Sequence, residues 1–308
     1  QAVAGNNHVA GVNQDIVTAL VPYNNEILII GGDHTIFQMT GDPMTGGRLD
    51  LISYGIGMAW GRPYCRDGQG ILYFVSNRCS VYQFVPGGEP IRISDAITKL
   101  LDVVRTSVQL VRMAWDEQQS GFHIWLTFAT AAQTTLHYFF DMRNKAWWQD
   151  VYANDNHNPL AVCAFDGNLI GERQILLGSW DGYVRKLDPE ADDDDGTAIA
   201  SSIFLGPLKD KMGNGLTLAD LQASLATSSS KAFYSVHAGE DAQAALEGAA
   251  LATGIWSAGR NRSQAVRVFG HALYVQVSRE NLVDSGWRLE WLKTRLRVPS
   301  GRARARIW

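Results

Sequence analysis

The sequence predicts an all-β chain, made of consecutive four-stranded β-propeller blades followed by a smaller, sandwich-like β-domain. Three observations predict it: a recurring pair of apolar strands with glycine-containing turns, a composition rich in glycine and aromatic residues, and a change of charge near residue 207. The 308 residues are enough for one large domain or two ordinary ones. With 46% hydrophobic and 19% charged residues, 30 Gly, 9 Pro, 10 Trp and 10 Tyr, they suit many short strands and tight turns. That mix does not suit a disordered protein or a helical bundle.

The repeating unit is an apolar strand, a short turn of Gly, Asp, Ser or Asn, and a returning aromatic strand. Its first copy is 26–30, a Gly31-Gly32-Asp33-His34 turn and 35–39; its second is 71–75, a Ser76-Asn77-Arg78 turn and 80–84. A more divergent third copy pairs 122–128 with 135–140 and continues into Trp147 and Trp148. The fourth is 174–178, a Ser179-Trp180-Asp181-Gly182 turn and 183–188. Returning strands recur roughly every 45 to 55 residues, the length of a four-stranded blade. A sheet this short cannot bury both faces alone, so blades stack and leave only short edges exposed.

Between the second and third copies, Ser94 reads as an N-cap for an amphipathic helix over 95–105, with Ile97, Leu100, Leu101 and Val104 on one face. Up to Pro207 there are 13 basic against 23 acidic residues, and from Leu208 onward 14 against 8, which places a boundary near 205–215. The predicted domains are 1–207 and 208–308. In the second, 232–237, 265–269, 272–277 and 287–292 read as strands, while 241–252 is either a short helix or a small-residue loop. Four units are few for a closed propeller, and the Gly, Asn and Ala around Gln1 read as a connection, so processing or further N-terminal sequence is expected. No apolar run approaches the length of a membrane span, and a soluble chain is expected. Cys65, Cys79 and Cys163 are too few and too scattered for a disulfide framework or zinc site.

No compact catalytic constellation stands out, so no catalytic, cofactor-binding or metal-ligating residue is assigned and an enzyme is not expected. Gly55, Gly57 and Gly61 loosely resemble a dinucleotide loop, but the spacing is off and no βαβ pattern surrounds them; a turn admitting Trp60 to a blade interface fits better. The histidines His8, His34, His123, His137, His157, His237 and His271 are scattered one per element, as satisfied polar side chains are. Asp116, Asp141, Asp166 and Asp181 could meet as a glycosidase pair, although Asp at blade turns is expected for local hydrogen bonding. Trp115, Trp125, Trp147, Trp148 and Trp180 could stack on sugars, but inter-blade cores use the same residues. Asp192, Asp193, Asp194 and Asp195 read as a solvated turn rather than a calcium loop, because four adjacent carboxylates diverge. Arg295, Arg297, Arg302, Arg304 and Arg306 suit contact with an acidic partner better than DNA.

Several segments together carry a family resemblance: 28–36 with its Gly31-Gly32-Asp33-His34 turn, Met39-Thr40-Gly41-Asp42-Pro43, 55–63, 70–76 and Ile93-Ser94-Asp95-Ala96-Ile97. They resemble the repeated region of tail hub or nozzle proteins (tail tubular protein B-like) of short-tailed bacteriophages. Trp256-Ser257-Ala258-Gly259-Arg260-Asn261-Arg262, with 272–275 and 287–290, is similar to the β-domain that ends many of them. The resemblance implies a structural virion protein in a ring of six beneath portal and adaptor, continuing the DNA channel and carrying fibre or tailspike attachment sites. It implies no catalytic residues and no cofactor. Such a conduit lets DNA slide without specific binding, and every phosphate-neutralising Lys or Arg in its lumen would add friction. The expected arrangement therefore turns the acidic part to channel or solvent and docks the basic end on an acidic neighbour. The alternative readings are a propeller module that binds carbohydrate or protein, and a propeller glycosidase.

Overall fold

The computed structural model describes residues 15–42, 44–104, 108–128, 135–168, 172–189, 191, 193–210, 213–279 and 285–298. The chain is all-β, with several sheets, and it divides after Pro189 into two compact units. The division falls at 189 and not at 207, because the strand Ser202–Leu208 pairs with Ala272–Arg279. The composition shift that the sequence shows marks the end of this edge strand, where Pro207 is tolerated, and not a linker. The Asp run thereby moves to the second unit, which holds 14 basic against 13 acidic residues, while the first holds 13 against 18.

Four antiparallel sheets follow one another in the first unit, each with its strands in sequence order. The first sheet is Val17–Pro22, Ile27–Gly32, Thr35–Thr40 and Arg48–Tyr54. The second is Tyr64–Arg66, Leu72–Val75, Val81–Phe84 and Ile91–Arg92. The third is Val108–Asp116, Gly121–Phe128, Thr135–Asp141 and Ala146–Asp150, with the two-residue strand Gly61–Arg62 added in parallel to its first member. The fourth is Pro159–Phe165, Gln174–Ser179 and Val184–Leu187.

Each buried cluster in this unit joins two consecutive sheets. Ala19, Val21, Ile29 and Ile36 meet Leu72, Phe74 and Phe84; Tyr73, Val75 and Val81 meet Val111, Phe122, Ile124 and Phe140; Ala114 and Trp125 meet Val162, Ile175 and Leu177. Successive residues of one strand thus serve different cores: Leu72 and Phe74 turn one way, Tyr73 and Val75 the other. This is why the central strands are apolar throughout, Leu72–Val75 being fully buried.

Among the described residues, the series leaves two end faces open. Strand register sets Leu20, Ile30, Phe37 and Leu51 in one row of the first sheet, and Pro22, Leu28, Met39 and Leu49 in the next. None of the eight joins a core of the described residues, and Leu20 and Leu51 are 56% and 51% exposed. On the fourth sheet, Ala161, Gly178 and Val184 form one such row, Cys163, Leu176 and Lys186 another, and Phe165 lies beyond them.

The expected helix forms over Thr98–Val104 and is preceded by a 3-10 turn, Asp95–Ile97. Ser94 does not cap it through its side chain. Its hydroxyl accepts instead from the Val81 amide at 3.1 Å, tying the segment to the second sheet.

In the second unit, two sheets enclose one core. One is ordered Ser202–Leu208, Ala272–Arg279, Ala232–Gly239, Ala252–Trp256; the other centres on Leu216–Leu225, flanked by Gln264–Gly270 and Leu289–Arg297. Leu218, Leu221 and Ala223 from one meet Val236, Val275, Val277 and Trp256 from the other. The 241–252 ambiguity resolves into both alternatives: Asp241 accepts from the Ala244 amide at 2.8 Å and caps the helix Ala242–Glu247, and a turn then leads into the next strand. The acidic run contains a hairpin, Asp193–Asp194 against Thr197–Ala198, closed by Asp195 and Gly196 at φ 51° and 81°. An Asp-Gly pair with both φ positive is what a two-residue hairpin of this hand requires. Asp192 lies outside the described residues.

Candidate functional site

The first strands of all four sheets line one cavity of about 380 Å³. Val21 and Pro22 come from the first sheet, Tyr64, Cys65 and Arg66 from the second, Met113, Ala114 and Trp115 from the third, and Ala164 from the fourth; Arg62, Asp67 and Arg173 complete the wall. Gly61 brings Arg62 there. At φ 108° its missing Cβ would stand 2.5 Å from the Val111 carbonyl, and only glycine allows the parallel pairing that sets Arg62 opposite Arg112. Arg66 donates to the Tyr23 carbonyl and lies over the Tyr23 ring, while Arg173 faces Glu117 at 3.5 Å and Asp166 at 3.3 Å. Burial, reinforced by the charge of Asp67 and opposed by Arg62, holds the Cys65 thiol far above its usual range, so it is not a nucleophile here.

A second constellation lies beside the core between the third and fourth sheets. His137 stands opposite Trp125, and His123 opposite Phe139, which makes the two histidines diagonal neighbours on one face. His123 Nδ1 and His137 Nε2 are 2.8 Å apart; His123 Nε2 is 3.4 Å from Asp116 Oδ2, and His137 Nδ1 is 3.8 Å from Asp150 Oδ2. Burial opposes charge on Asp116, but the hydrogen bonds from His123 and the Gln119 amide outweigh it and lower its pKa. A charged Asp116 accepts from His123 Nε2, and the tautomers of the two rings set which of them donates across the 2.8 Å contact. Burial, then the charge of His123, pushes His137 well below the usual histidine range, so that ring is neutral. Loss of solvation raises the pKa of Asp150, with His123 opposing. His123, His137 and Asp150 offer atoms within 4.8 Å of one another that could hold a metal. Two nitrogens on a tetrahedral zinc stand about 3.3 Å apart. At 2.8 Å the pair is a hydrogen bond, and metal entry would have to spread the rings.

The remaining residues singled out in the sequence are dispersed. Asp116, Asp141 and Asp181 each accept from backbone amides of their own turns, from Gln119, Arg143 and Tyr183, and exposed Asp166 faces Arg173. Trp125 is buried, its Nε1 donating to the Tyr152 hydroxyl at 2.9 Å; Trp115 stacks on Tyr73, and Trp147 packs against Phe122 and Phe140. Trp148 turns to the other side of its strand and is half exposed, so it forms no sugar platform with Trp147. Trp60 is exposed too. Met58 enters the core between the first two sheets in its place. Exposed His34 faces Asp33 and Asp15, buried His157 closes a 3-10 turn, His237 binds Ser235 and the Gly248 carbonyl, and His271 faces Glu240. Arg295 and Arg297 project with Trp291 and Lys293 from the exposed side of their strand, Arg295 pairing with Asp220. His8, Arg302, Arg304 and Arg306 lie outside the described residues. Sequence reasoning missed Arg62, Arg112 and the His123–His137 pair. The spacing of the two histidines across one hairpin could have revealed the pair, but nothing local announces the parallel pairing at Arg62.

No protein-family model matches the chain, and no curated protein does. Among solved structures it is similar to the extracellular domain of a hybrid two-component system from B. thetaiotaomicron, with 10% identity and a TM-score of 0.30. The match covers 90% of this chain and 43% of that one, so the chain spans less than half of that structure. A likeness that slight carries nothing about function.

Proposed function

We propose that the four sheets are consecutive propeller blades and that the chain is a structural subunit of a short-tailed bacteriophage tail, self-associating into a hub or nozzle ring. The observation that carries this reading is the pair of open apolar faces. A blade is stable when both faces are covered, and here the first sheet keeps two apolar rows outside every core of the described residues, while the last exposes Ala161, Cys163, Phe165 and Val184 beside Gly178 and Lys186. Such faces belong to a chain that is completed by further protein. The common cavity at the first strands supports the radial arrangement, since the first strands of propeller blades surround the axis. Portal or adaptor, tail fibres or tailspikes are the partners of this reading, the virion tail its place, and DNA passes without specific contact.

With the division at 189 the second unit is nearly balanced, so the docking of a basic unit on an acidic neighbour reduces to one basic sheet face, with Lys293, Arg295 and Arg297. The turn-bound aspartates favour structure over glycoside hydrolysis. The test is the mass of the purified protein by native mass spectrometry. Six times the 33.9 kDa of one chain is the expected result, and a monomer at every concentration would overturn the reading.

A further inference from the structure

The cavity at the first strands holds a charge imbalance that assembly does not use. Arg62 stands on the cavity wall, and its direct partner across the parallel strand pair, where like charges repel, is Arg112, which lies outside the lining. Among the described residues neither guanidinium meets a carboxylate; Arg112 donates only to the carbonyl of Val111, at 3.4 Å. Arg112 is also partly buried, and loss of solvent lowers its pKa, the direction expected for a cation without a counter-charge. The one carboxylate on the wall is already engaged: Asp67 accepts from the Gln69 and Ile71 amides at 2.9 and 2.8 Å and from the Tyr73 hydroxyl at 3.1 Å. The surrounding unit holds 13 basic against 18 acidic residues, so this positive concavity runs against its overall sign.

We propose that this cavity is a binding site for a small oxyanion-bearing molecule, carrying phosphate or carboxylate, held by the Arg62 guanidinium on its wall. A guanidinium fork takes two oxygens of either group side by side, which a lysine could not do. A volume of about 380 Å³ is within the range of small-molecule pockets. Val21, Met113 and Trp115 offer apolar wall to its body, and Arg66, whose hydrogen bond goes to the Tyr23 carbonyl, adds positive potential, whereas Arg173 is countered by Glu117 and Asp166.

The test is isothermal titration of the full chain with pyrophosphate and, separately, citrate, with ionic strength held constant by sodium chloride. Saturable binding of at least one is expected; pyrophosphate alone assigns phosphate, citrate alone assigns carboxylate, and both together assign the shared oxyanion chemistry. Arg62→Ala is expected to weaken binding about tenfold or more, and Arg62→Lys, which keeps the charge and loses the fork, by less. Arg48→Ala, at an exposed residue paired with Asp50, leaves binding unchanged. Circular dichroism confirms that each variant is folded, and Arg62→Lys stands in if the alanine variant is not. Absence of saturable heat with both anions, or wild-type affinity in a folded Arg62→Ala, overturns the proposal. Neither result depends on whether the chain forms a ring.

Discussion

Met58 reaches the core between the first two sheets because Gly57 lies flat against the backbone of the Asp33 turn. A Cβ at 57 would stand 2.0 Å from the Asp33 carbonyl oxygen, and both peptide groups of Met58 are fixed, its amide to Gly32 and its carbonyl to the Thr18 hydroxyl. Gly57→Ala must therefore push the segment off the turn and lift Met58 from its site. A loss of about 2–4 kcal/mol in urea unfolding is expected, whereas an unchanged midpoint would show that the contact is soft. At His137 the consequence is a pH dependence. The unfolded ring takes a proton near its ordinary value of 6.5, and the folded ring resists until a much lower pH. Below 6.5 the unfolded state binds more protons, so stability is lost as pH falls, by up to about 1.4 kcal/mol per pH unit. His137→Gln removes that slope. Comparing the urea midpoints of both proteins at pH 7.5 and 5.5 should show the larger acid loss in wild type, and parallel losses would place the titration elsewhere.

At the scale of elements, each end of the helix Ala242–Glu247 is set by a local bond, and Asp241 supplies the first of them. Asp241→Ala should cost about 1 kcal/mol, read by thermal or urea unfolding, with the sheets otherwise intact. What the sequence discloses about elements follows from burial. The second strands of the two middle sheets are legible because they are covered on both faces, as Leu72–Val75 and Gly121–Phe128 are. The outer members are not: Ile91–Arg92 has two exposed residues, and Tyr64–Arg66 has only three, too short for any period. Ser94 looked like a cap because Ser before an amphipathic run usually is one, yet the neighbouring sheet competes for its hydroxyl through the Val81 amide. The Asp-Gly corner at 195–196 could be read outright, since its turn chemistry is local. The cavity could not, because Arg62 and Arg112 come together only through a register set by long-range packing.

For the whole molecule, the two open faces decide the outcome. Phe37 and Leu51 are opposite one another on the first sheet, outside every core of the described residues, so they contribute little to the stability of a single chain. Their apolar surface has value only when something covers it. Replacing both by glutamate should leave the folded monomer nearly as stable as wild type, while a charge pair buried in an interface would cost several kcal/mol and abolish it. The expected result is that Phe37→Glu, Leu51→Glu runs as a folded monomer in analytical ultracentrifugation at concentrations where wild type forms the proposed ring. If the variant assembles as wild type does, this face is not an intersubunit contact, and the candidates left are the open face of the fourth sheet and the basic sheet face with Lys293, Arg295 and Arg297. Salt then separates the two routes. An apolar contact strengthens as sulfate is added, whereas an interface built on those cations weakens between 0.05 and 0.5 M sodium chloride, roughly as the Debye length shrinks from ~14 to ~4 Å.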